Sequence, residues 1–362
     1  MKIKVIFKKI YKKFLYSIFF LIYGKVKYLK KSIKKVKVKK INYINNINLK
    51  RFNYKIFEIE EGRVFTNYVE CLGIICENFL IKEISFQQIN GVLQKSKNEI
   101  LKTGTPKILK KFKGQMLSLT QGASGHSNYS HWLLDIIPKL KMFSEKYNTK
   151  EIDYFYFSKL NSFQKQSLKE LKLDPKRFLD SNKFRHVQAT KVFAVTHPNY
   201  FYGNIFDAHS NLPSWIVLYL RKIFLKKKFL SSKKYNNIFI DRSDSTQSHC
   251  KLINNKKIID FLRKKKFKIL KLSELSFKDQ VSIFYNCKNI IAPHGAGLAN
   301  LVFCRKNTNI IEIIPKNHKN KVYETISKIN KLKYKMIKCN YIRKNINGDM
   351  FLSIELLKKY MR

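Results

Sequence analysis

Acidic residues are scarce in this 362-residue chain, and none occurs before Glu58. The chain has 24 aspartates and glutamates against 74 lysines and arginines, which gives a formal net charge of +50. A charge of this size indicates a polyanionic partner, either nucleic acid or an anionic membrane. A second explanation stays open, because AT-rich coding would enrich lysine, isoleucine, asparagine, phenylalanine and tyrosine together without selection for charge.

Cysteine patterns typical of a metal site are also missing. The six cysteines form no Cys-x-x-Cys pair and no zinc spacing, and several lie within apolar runs. We therefore predict reduced, buried thiols in a cytosolic protein. A hydrophobic fraction of 44% is that of a folded chain. The length suits about two domains, each large enough to bury a core.

A long hydrophobic run is absent as well. The first 40 residues hold 15 lysines around one apolar stretch of ten residues, Phe14–Tyr23. A membrane-spanning helix needs roughly 20 apolar residues, and no small-residue cleavage site follows, so neither a span nor a secretory signal is predicted. Residues 1–48 instead read as a basic amphipathic segment, with residues 1–40 lying on an anionic membrane face. A disordered basic tail is the alternative.

Strands and helices alternate through the rest of the chain. Residues 50–120 favour strands, and a strand at 115–120 leads into a polar loop and a helix beginning at Tyr129. Strand 154–157, helix 163–171 and strand 191–196 follow, which is the pattern of βα units with a mostly parallel sheet. After a helix at 212–225, a polar linker near residue 231 divides the chain into segments 49–230 and 231–345, with a C-terminal helix at 346–362.

The second segment has the clearer alternation. Five strands and four intervening helices predict a doubly wound domain of the nucleotide-binding type. The predicted strands are 237–241, 267–272, 289–292, 309–314 and 334–338, and the predicted helices are 255–264, 277–285, 298–303 and 322–329.

Polar residues that could carry chemistry lie where strands give way to turns. His131 and Asp135 are four residues apart on a helix that Ser127 or Asn128 could cap. The pair could act as base and orienter or bind substrate hydroxyls, and the structural alternative is that Asp135 merely holds His131.

Arg242 ends a strand, where a guanidinium can bind a phosphate through two hydrogen bonds. The alternative is a surface salt bridge with Asp241 or Asp244.

A third group follows the strand that ends at Pro293. His294 precedes Gly295 and Gly297, which let the backbone approach a ligand, and the next helix begins with N–H groups that attract anions. Glu312 lies in an otherwise apolar strand, where a buried carboxylate needs a hydrogen-bond partner. A pair of ribose hydroxyls would suit it, and a partner arginine or an exposed edge position are the alternatives.

Together these segments resemble glycosyltransferase family 61 over roughly residues 115–315. The similar motifs are His131-Trp132-Leu133-Leu134-Asp135, the strand-terminal Arg242, Leu275-Ser276-Phe277-Lys278-Asp279-Gln280, Pro293-His294-Gly295-Ala296-Gly297-Leu298-Ala299-Asn300 and the strand with Glu312. One stretch departs from the family. Members often carry arginine, then asparagine and glutamate, shortly after the strand-terminal arginine, and here Lys251, Asn254 and Asn255 occupy that stretch.

The resemblance implies a GT-B architecture, with two facing Rossmann-like domains of parallel sheets and the site between them. It implies sugar transfer from a nucleotide-sugar, typically a UDP-sugar, to a glycan hydroxyl with inversion. The implied residues are His131 or Asp135 as the base, Arg242, Lys251, His294, Gly295, Ala296, Gly297, Asn300 and Glu312 at the donor, and His126, Asn128 and Trp132 at the acceptor.

No Asp-x-Asp occurs in the sequence, so no metal bridging the diphosphate is expected and no cofactor besides the nucleotide-sugar. We expect a role in surface-polysaccharide synthesis at the inner face of a membrane, without a specific nucleic-acid partner. Two competing functions remain: a non-enzymatic binder of polyanions such as RNA or membrane, and an inactive transferase-like fold that only binds glycan.

Overall fold

The structure is a computed structural model, which describes residues 2–30, 32–44, 50–68, 71–89, 92–93, 97–120, 127–199, 205–227, 233–245, 250–340 and 348–361. The chain divides into two compact units. Unit 1 comprises Met1–Asn45, Leu49–Asn161 and Leu173–Ala208, and unit 2 comprises Ser162–Lys172 and His209–Arg362.

These limits differ from the predicted division at residue 230 because helices join unit 2 through specific contacts. Gln166 accepts a hydrogen bond from the backbone N–H of Phe277 at 2.6 Å, and Arg221 donates to the carbonyls of Val302 and Cys304 at 2.7 Å each. The predicted boundary rested on the amino-acid composition near residue 231, which does not indicate such contacts.

Most predicted helices agree with the structure within two residues at each end. The predicted helix 298–303 is instead a 3₁₀ helix, Ala296–Phe303, and the C-terminal helix begins at Ile354 and not at residue 346. The N-terminal helix is 22 residues long. No helix in the described ranges is long and apolar enough to cross a bilayer. The helices are α1 (Lys2–Tyr23), α2 (Ile100–Thr103), α3 (Tyr129–His131), α4 (Ile137–Ser144), α5 (Ser162–Glu170), α6 (Ile205–Ser210), α7 (Ser214–Phe224), α8 (Asn255–Lys264), α9 (Phe277–Asn286), α10 (Val322–Ile329) and α11 (Ile354–Met361).

Unit 1 contains a mixed sheet. Its strands are β1 (Lys27–Tyr28), β2 (Val36–Ile44), β3 (Arg51–Glu60), β4 (Arg63–Tyr68), β5 (Cys71–Cys76), β6 (Phe79–Leu80), β9 (Lys110–Ser118), β10 (Tyr154–Phe157), β11 (Phe178–Asp180) and β12 (His186–Val195), while β7 (Gln88–Ile89) and β8 (Val92–Leu93) form a separate hairpin. β12, β9, β10 and β11 run parallel in that order. β3 and β4 both pair antiparallel with β12, so the sheet is less parallel than expected, with one run of four parallel strands.

Unit 2 contains a parallel five-stranded sheet, as predicted. Its strands are β13 (Asn237–Ile240), β14 (Lys268–Leu270), β15 (Asn289–Pro293), β16 (Asn309–Pro315) and β17 (Lys333–Cys339), in the order β14-β13-β15-β16-β17. The strand order reverses between β13 and β15, which makes the carboxyl ends of these two strands the switch point where such sheets bind ligands.

The cores of both units are apolar and well buried. β16 is an almost continuous aliphatic run because both faces of a parallel sheet are covered, and Leu357 of α11 closes the unit 2 core with no exposed surface. All six cysteines are free and buried, which confirms the prediction of buried thiols.

Candidate active site

The switch point of unit 2 brings Arg242 and His294 into contact. β13 and β15 are paired neighbours, and each continues into a turn that carries one of these residues. Nη1 of Arg242 donates to the backbone carbonyl of His294, and Nη2 lies 3.3 Å from Oγ of Ser245. The two residues are 52 positions apart in the chain, and their contact was expected because each follows the carboxyl end of one of two neighbouring parallel strands.

Asp241 and Asp244, the carboxylates considered as salt-bridge partners of Arg242, accept hydrogen bonds from other residues instead. Asp241 accepts hydrogen bonds from the backbone and hydroxyl of Ser243 and from Nδ2 of Asn255 at 2.9–3.0 Å. Asp244 accepts from Ser273. Burial lowers the pKa of Arg242, since a low-dielectric surrounding disfavours the charged form. A bound anion would offset that penalty.

Gly295 is required by the arginine. A Cβ at position 295 would collide with the guanidinium of Arg242, so a residue with a side chain would displace the cation. The close approach at this glycine is thus to Arg242, whereas the sequence suggested an approach to a ligand. Gly297 is restricted in the same way by the side chain of Leu272.

A chain of hydrogen bonds fixes the ring of His294. Its Nδ1 lies 2.5 Å from Oε1 of Glu312, and the hydroxyl of Tyr334 donates to Oε2 of the same carboxylate. Glu312 is 1% exposed. Both carboxylate oxygens are therefore used inside the protein, and the expected contact of Glu312 with ribose hydroxyls does not fit. Burial and the charge of Glu312 raise the pKa of Tyr334 well above its usual value.

Asn300 occupies a position that does not match its expected contact with the donor, whereas the donor contact of Lys251 stays a prediction. Asn300 has no exposed surface, and its Nδ2 donates to Oε1 of Gln280 and to the carbonyl of Gly297. Gln280 in turn donates to the carbonyl of Leu272 at 3.0 Å, so these amides hold the glycine turn in shape. The side chain of Lys251 is exposed.

The motif around Gln280 also begins a helix. Ser276 accepts a hydrogen bond from the backbone N–H of Asp279 at 3.0 Å and caps α9, as a serine three residues before an acidic residue does. The helix is thereby fixed in the register that points Gln280 toward the turn.

Unit 1 contains a second polar cluster, centred on Asp135. Its carboxylate has no exposed surface, and Oδ2 lies 2.7 Å from Nδ1 of His131. Asn199 donates through Nδ2 to the other oxygen, and Nε2 of His197 lies 4.0 Å from Oδ2. His131 has 14% of its side chain exposed. Asp135 is thus the buried orienter of the pair, and His131 is the partially exposed member.

The hydrogen bonds indicate which nitrogen of His131 carries a proton. Because Nδ1 faces a carboxylate, the neutral ring is protonated there and Nε2 carries the lone pair. The opposite tautomer applies to His197, whose Nδ1 accepts the backbone N–H of Asn199 at 3.1 Å. Of the two rings, His131 has the arrangement of a general base supported by a carboxylate.

A buried lysine completes this cluster. Lys139 is 2% exposed, and its ammonium donates to the carbonyl of Thr120 at 3.3 Å. Burial lowers the pKa of Lys139 to about 7, although the charge of Asp135 acts in the opposite direction. Lys139 therefore changes charge close to neutral pH.

The local fold explains how the helix presents these groups. The Asn128 side chain accepts from the backbone N–H groups of Ser130 and His131, which confirms the predicted cap. A π-helical turn, Trp132–Ile136, follows and precedes Pro138, a residue without an N–H for the carbonyl one turn before it. The widened turn contains Asp135.

The expected acceptor residues have different positions. Trp132 is 1% exposed and packs against Phe157 with ring centroids 5.8 Å apart, so it is a core residue and not an acceptor contact. The side-chain oxygen of Asn128 serves the helix cap. His126 lies outside the described residues.

Sequence reasoning missed four residues of these clusters. His197 and Asn199 follow the carboxyl end of β12, which is the same signal that identified His294. Lys139 stands four residues after Asp135 in an apolar helix and could have been found by that spacing. Tyr334 carries no comparable signal, because only strand pairing brings it to Glu312. Within the described ranges, no group of three or more histidines, cysteines or acidic residues could hold a metal ion.

A model of the glycosyltransferase 61 family matches residues 129–311, slightly more than half of the chain. The match begins at the helix with His131 and Asp135 and ends within β16, one residue before Glu312. It therefore includes residues of both polar clusters. No curated protein sequence matches the chain.

Proposed function

Because the chain belongs to the glycosyltransferase 61 family, we propose that it moves a sugar from a UDP-sugar to a hydroxyl of a glycan acceptor, with inversion. Family membership implies glycosyltransferase activity with a donor and an acceptor. The donor class, the stereochemistry and a role in surface polysaccharide synthesis are parts of the proposal.

The donor site that we propose is the switch point of unit 2. The contact between Arg242 and the carbonyl of His294 is the observation that carries this assignment, since it puts a partly buried cation at the ligand-binding edge of a parallel sheet. The backbone amides of Ala296 and Gly297 begin a 3₁₀ helix at the same turn, and N–H groups at a helix start attract anions. These groups would stabilise the departing diphosphate without requiring a metal.

His131 is the base in this proposal, which resolves the choice that the sequence left open. Its Nε2 removes the proton from the acceptor hydroxyl as the oxygen attacks the anomeric carbon, and Asp135 holds the ring and stabilises the resulting imidazolium. One displacement of this kind forms the new glycosidic bond, breaks the bond to the diphosphate and inverts the anomeric centre.

Three broader statements belong to the same proposal. The two units would adopt the GT-B arrangement, with unit 1 on the acceptor side and unit 2 on the donor side. No cofactor besides the nucleotide-sugar would be needed. The basic N-terminal segment would hold the enzyme on the inner face of a membrane, because its lysines complement anionic lipids.

UDP binding to the full chain tests the donor site. Arg242→Ala should weaken UDP binding by about tenfold to a hundredfold, the cost of about 1.5–3 kcal/mol for a lost hydrogen bond to a charged group. Arg263→Ala is the matched control, since Arg263 is an exposed arginine of the same unit. Isothermal titration gives both affinities.

Equal UDP affinity in folded Arg242→Ala and in the control would remove Arg242 from the donor site. A steep salt dependence of RNA binding in a protein that does not bind UDP would favour the polyanion-binding alternative. UDP binding without hydrolysis or transfer across a panel of UDP-sugars would favour the inactive fold.

A further inference from the structure

A cavity lies in unit 1, at the end of β9 and β12 opposite to the residues of the Asp135 cluster that follow these strands, namely Thr120, His197 and Asn199. It has a volume of about 450 Å³ and lies between the end of α1 and the first residues of β4, β9 and β12. Lys111, near the start of β9, lines the cavity. Thr120, whose carbonyl accepts the hydrogen bond of Lys139, follows the opposite end of that strand. The seven steps along the strand from residue 111 to residue 118 span about 23 Å, so the two sites are separate.

A buried guanidinium forms the wall of this cavity. Arg63 is 6% exposed, and its Nη2 donates to the carbonyl of Glu77 and to Oδ1 of Asn78, the latter at 2.9 Å. Within the described residues, no hydrogen bond reaches its Nε or Nη1, and no carboxylate lies within ion-pair distance. Burying a cation without a counter-ion is costly, so this arrangement favours an anionic ligand.

No acidic residue of the cavity pairs with Arg63 in the described residues: Glu60 and Glu77 pair with lysines, and Glu61 accepts a hydrogen bond from the neutral amide of Gln188. Lys111 is exposed and, like Arg63, pairs with no carboxylate in the described part of the chain. Arg63 and Lys111 therefore leave two unpaired positive charges in the lining against one unpaired negative charge, that of Glu61. The three glutamates pair as follows: Glu60 with Lys37 at 3.4 Å, Glu77 with Lys35 at 3.5 Å, and Glu61 with the Nε2 of Gln188 at 3.3 Å.

The end of α1 adds an apolar border to this charged cavity. Ile22 and Tyr23 line it, and Tyr23 is fixed there because its hydroxyl accepts the backbone N–H of Leu109 at 2.9 Å. Ile22 is 59% exposed, and Leu21 beside it is 88% exposed. An anionic group in the cavity would thus adjoin an exposed apolar helix surface, which is the combination that a phospholipid presents.

We propose that this cavity binds a phosphate group between Arg63 and Lys111, and that the group belongs to a membrane phospholipid whose acyl chain lies on the exposed face of α1. An arginine fork and a lysine are the side chains that recognise phosphate oxygens most directly. The site gives the basic N-terminal region a specific headgroup contact in addition to its general attraction to anionic surfaces.

The test uses the full chain and sedimentation with vesicles of equal parts phosphatidylcholine and phosphatidylglycerol. Lys111→Ala and Arg63→Gln should each weaken vesicle binding by about tenfold beyond the control. Lys110→Ala is the matched control, since Lys110 precedes Lys111 on β9, is also exposed and has its side chain on the other face of the sheet. UDP binding should be unchanged in all three variants.

A second arm separates a lipid from free phosphate, by measuring the thermal shift that inorganic phosphate gives in the same four proteins. A vesicle defect in Lys111→Ala with no phosphate-induced shift in the wild type assigns the site to lipid. A phosphate-induced shift that Lys111→Ala abolishes, with vesicle binding equal to the control, assigns it to free phosphate. Equal behaviour of Lys110→Ala and Lys111→Ala in both arms overturns the proposal. Because both lysines are exposed, this comparison stays valid even where Arg63→Gln fails to fold.

Discussion

The two units use the same small device in different ways. In each, a buried carboxylate faces Nδ1 of a histidine: Asp135 with His131 in unit 1, and Glu312 with His294 in unit 2. The unit 1 pair is local, four residues apart on one helix, whereas the unit 2 pair spans neighbouring parallel strands. The histidines also differ in exposure, with 14% for the His131 side chain and 5% for that of His294.

The difference suggests two tasks. A partly exposed ring that is protonated at Nδ1 suits proton transfer through Nε2. A ring that is almost fully enclosed suits positioning, because the backbone carbonyl of His294 is the group that receives Arg242. If this comparison holds, changes in unit 1 should affect the rate of the chemical step, and changes in unit 2 should affect donor binding.

The largest effect should come from His131. His131→Gln should lower kcat by about 10²–10⁴-fold, since a positioned general base contributes a factor of that size. UDP affinity should stay at the wild-type value. Transfer at saturating UDP-sugar and titration with UDP measure the two quantities.

Asp135→Asn should reproduce most of that loss by turning the His131 ring to the wrong tautomer. A His131→Gln variant with wild-type kcat would end the assignment of the base and leave the pair with a structural role.

A smaller effect is expected from Glu312. The carboxylate of Glu312 accepts hydrogen bonds from both His294 and Tyr334. In Glu312→Gln one of these two oxygens becomes an NH₂ group, which cannot accept a hydrogen bond. We expect UDP affinity to fall by about tenfold, with kcat at saturating donor close to the wild-type value. Tyr334→Phe removes one donor and keeps the carboxylate, so it should weaken UDP binding less.

The reverse result, a loss of kcat with unchanged UDP affinity, would contradict the division of tasks between the units. Equal changes in both quantities for Glu312→Gln and His131→Gln would show that the two pairs act alike.

The smallest effect concerns Lys139, the buried lysine of the unit 1 cluster. Burial lowers the pKa of Lys139 to about 7, so between pH 7 and its unfolded value the unfolded chain binds more protons than the folded one. The free energy of unfolding should therefore rise with pH, and this lysine alone should contribute about 1 kcal/mol between pH 7 and pH 8.

Lys139→Met should remove that increment, which urea denaturation of both proteins at the two pH values can measure. The pH dependence of the variant is subtracted from that of the wild type, because the other titrating groups contribute equally to both. An identical pH dependence in wild type and variant would mean that Lys139 keeps an ordinary pKa in the folded protein.

Local patterns predicted most of the elements and part of the site. Ser127 or Asn128 was expected to cap the helix, and Asn128 does so, because capping depends on residues within one turn. The contact of Arg242 with His294 followed from strand order, since the carboxyl ends of neighbouring parallel strands lie side by side.

Errors arose where burial decides the role of a side chain. Trp132, Asn300 and Glu312 stand in motif positions, and each was read as a substrate contact although each is at most 1% exposed. A motif gives the identity of a residue but not the direction of its side chain. His197 and Lys139 were missed although His197 follows a strand end, as His294 does, and Lys139 stands four residues after Asp135.

By itself the sequence determined the alternation of strands and helices, the basic charge of the N-terminal segment, the resemblance to the family and the positions of the two histidine motifs, because these depend on composition, periodicity and short spacing. Only the tertiary structure decided which carboxylate oxygens are used inside the protein, which histidine retains exposure and where Arg63 lies without a counter-ion. Those properties depend on strand register and side-chain burial, which are set by contacts between residues far apart in the chain.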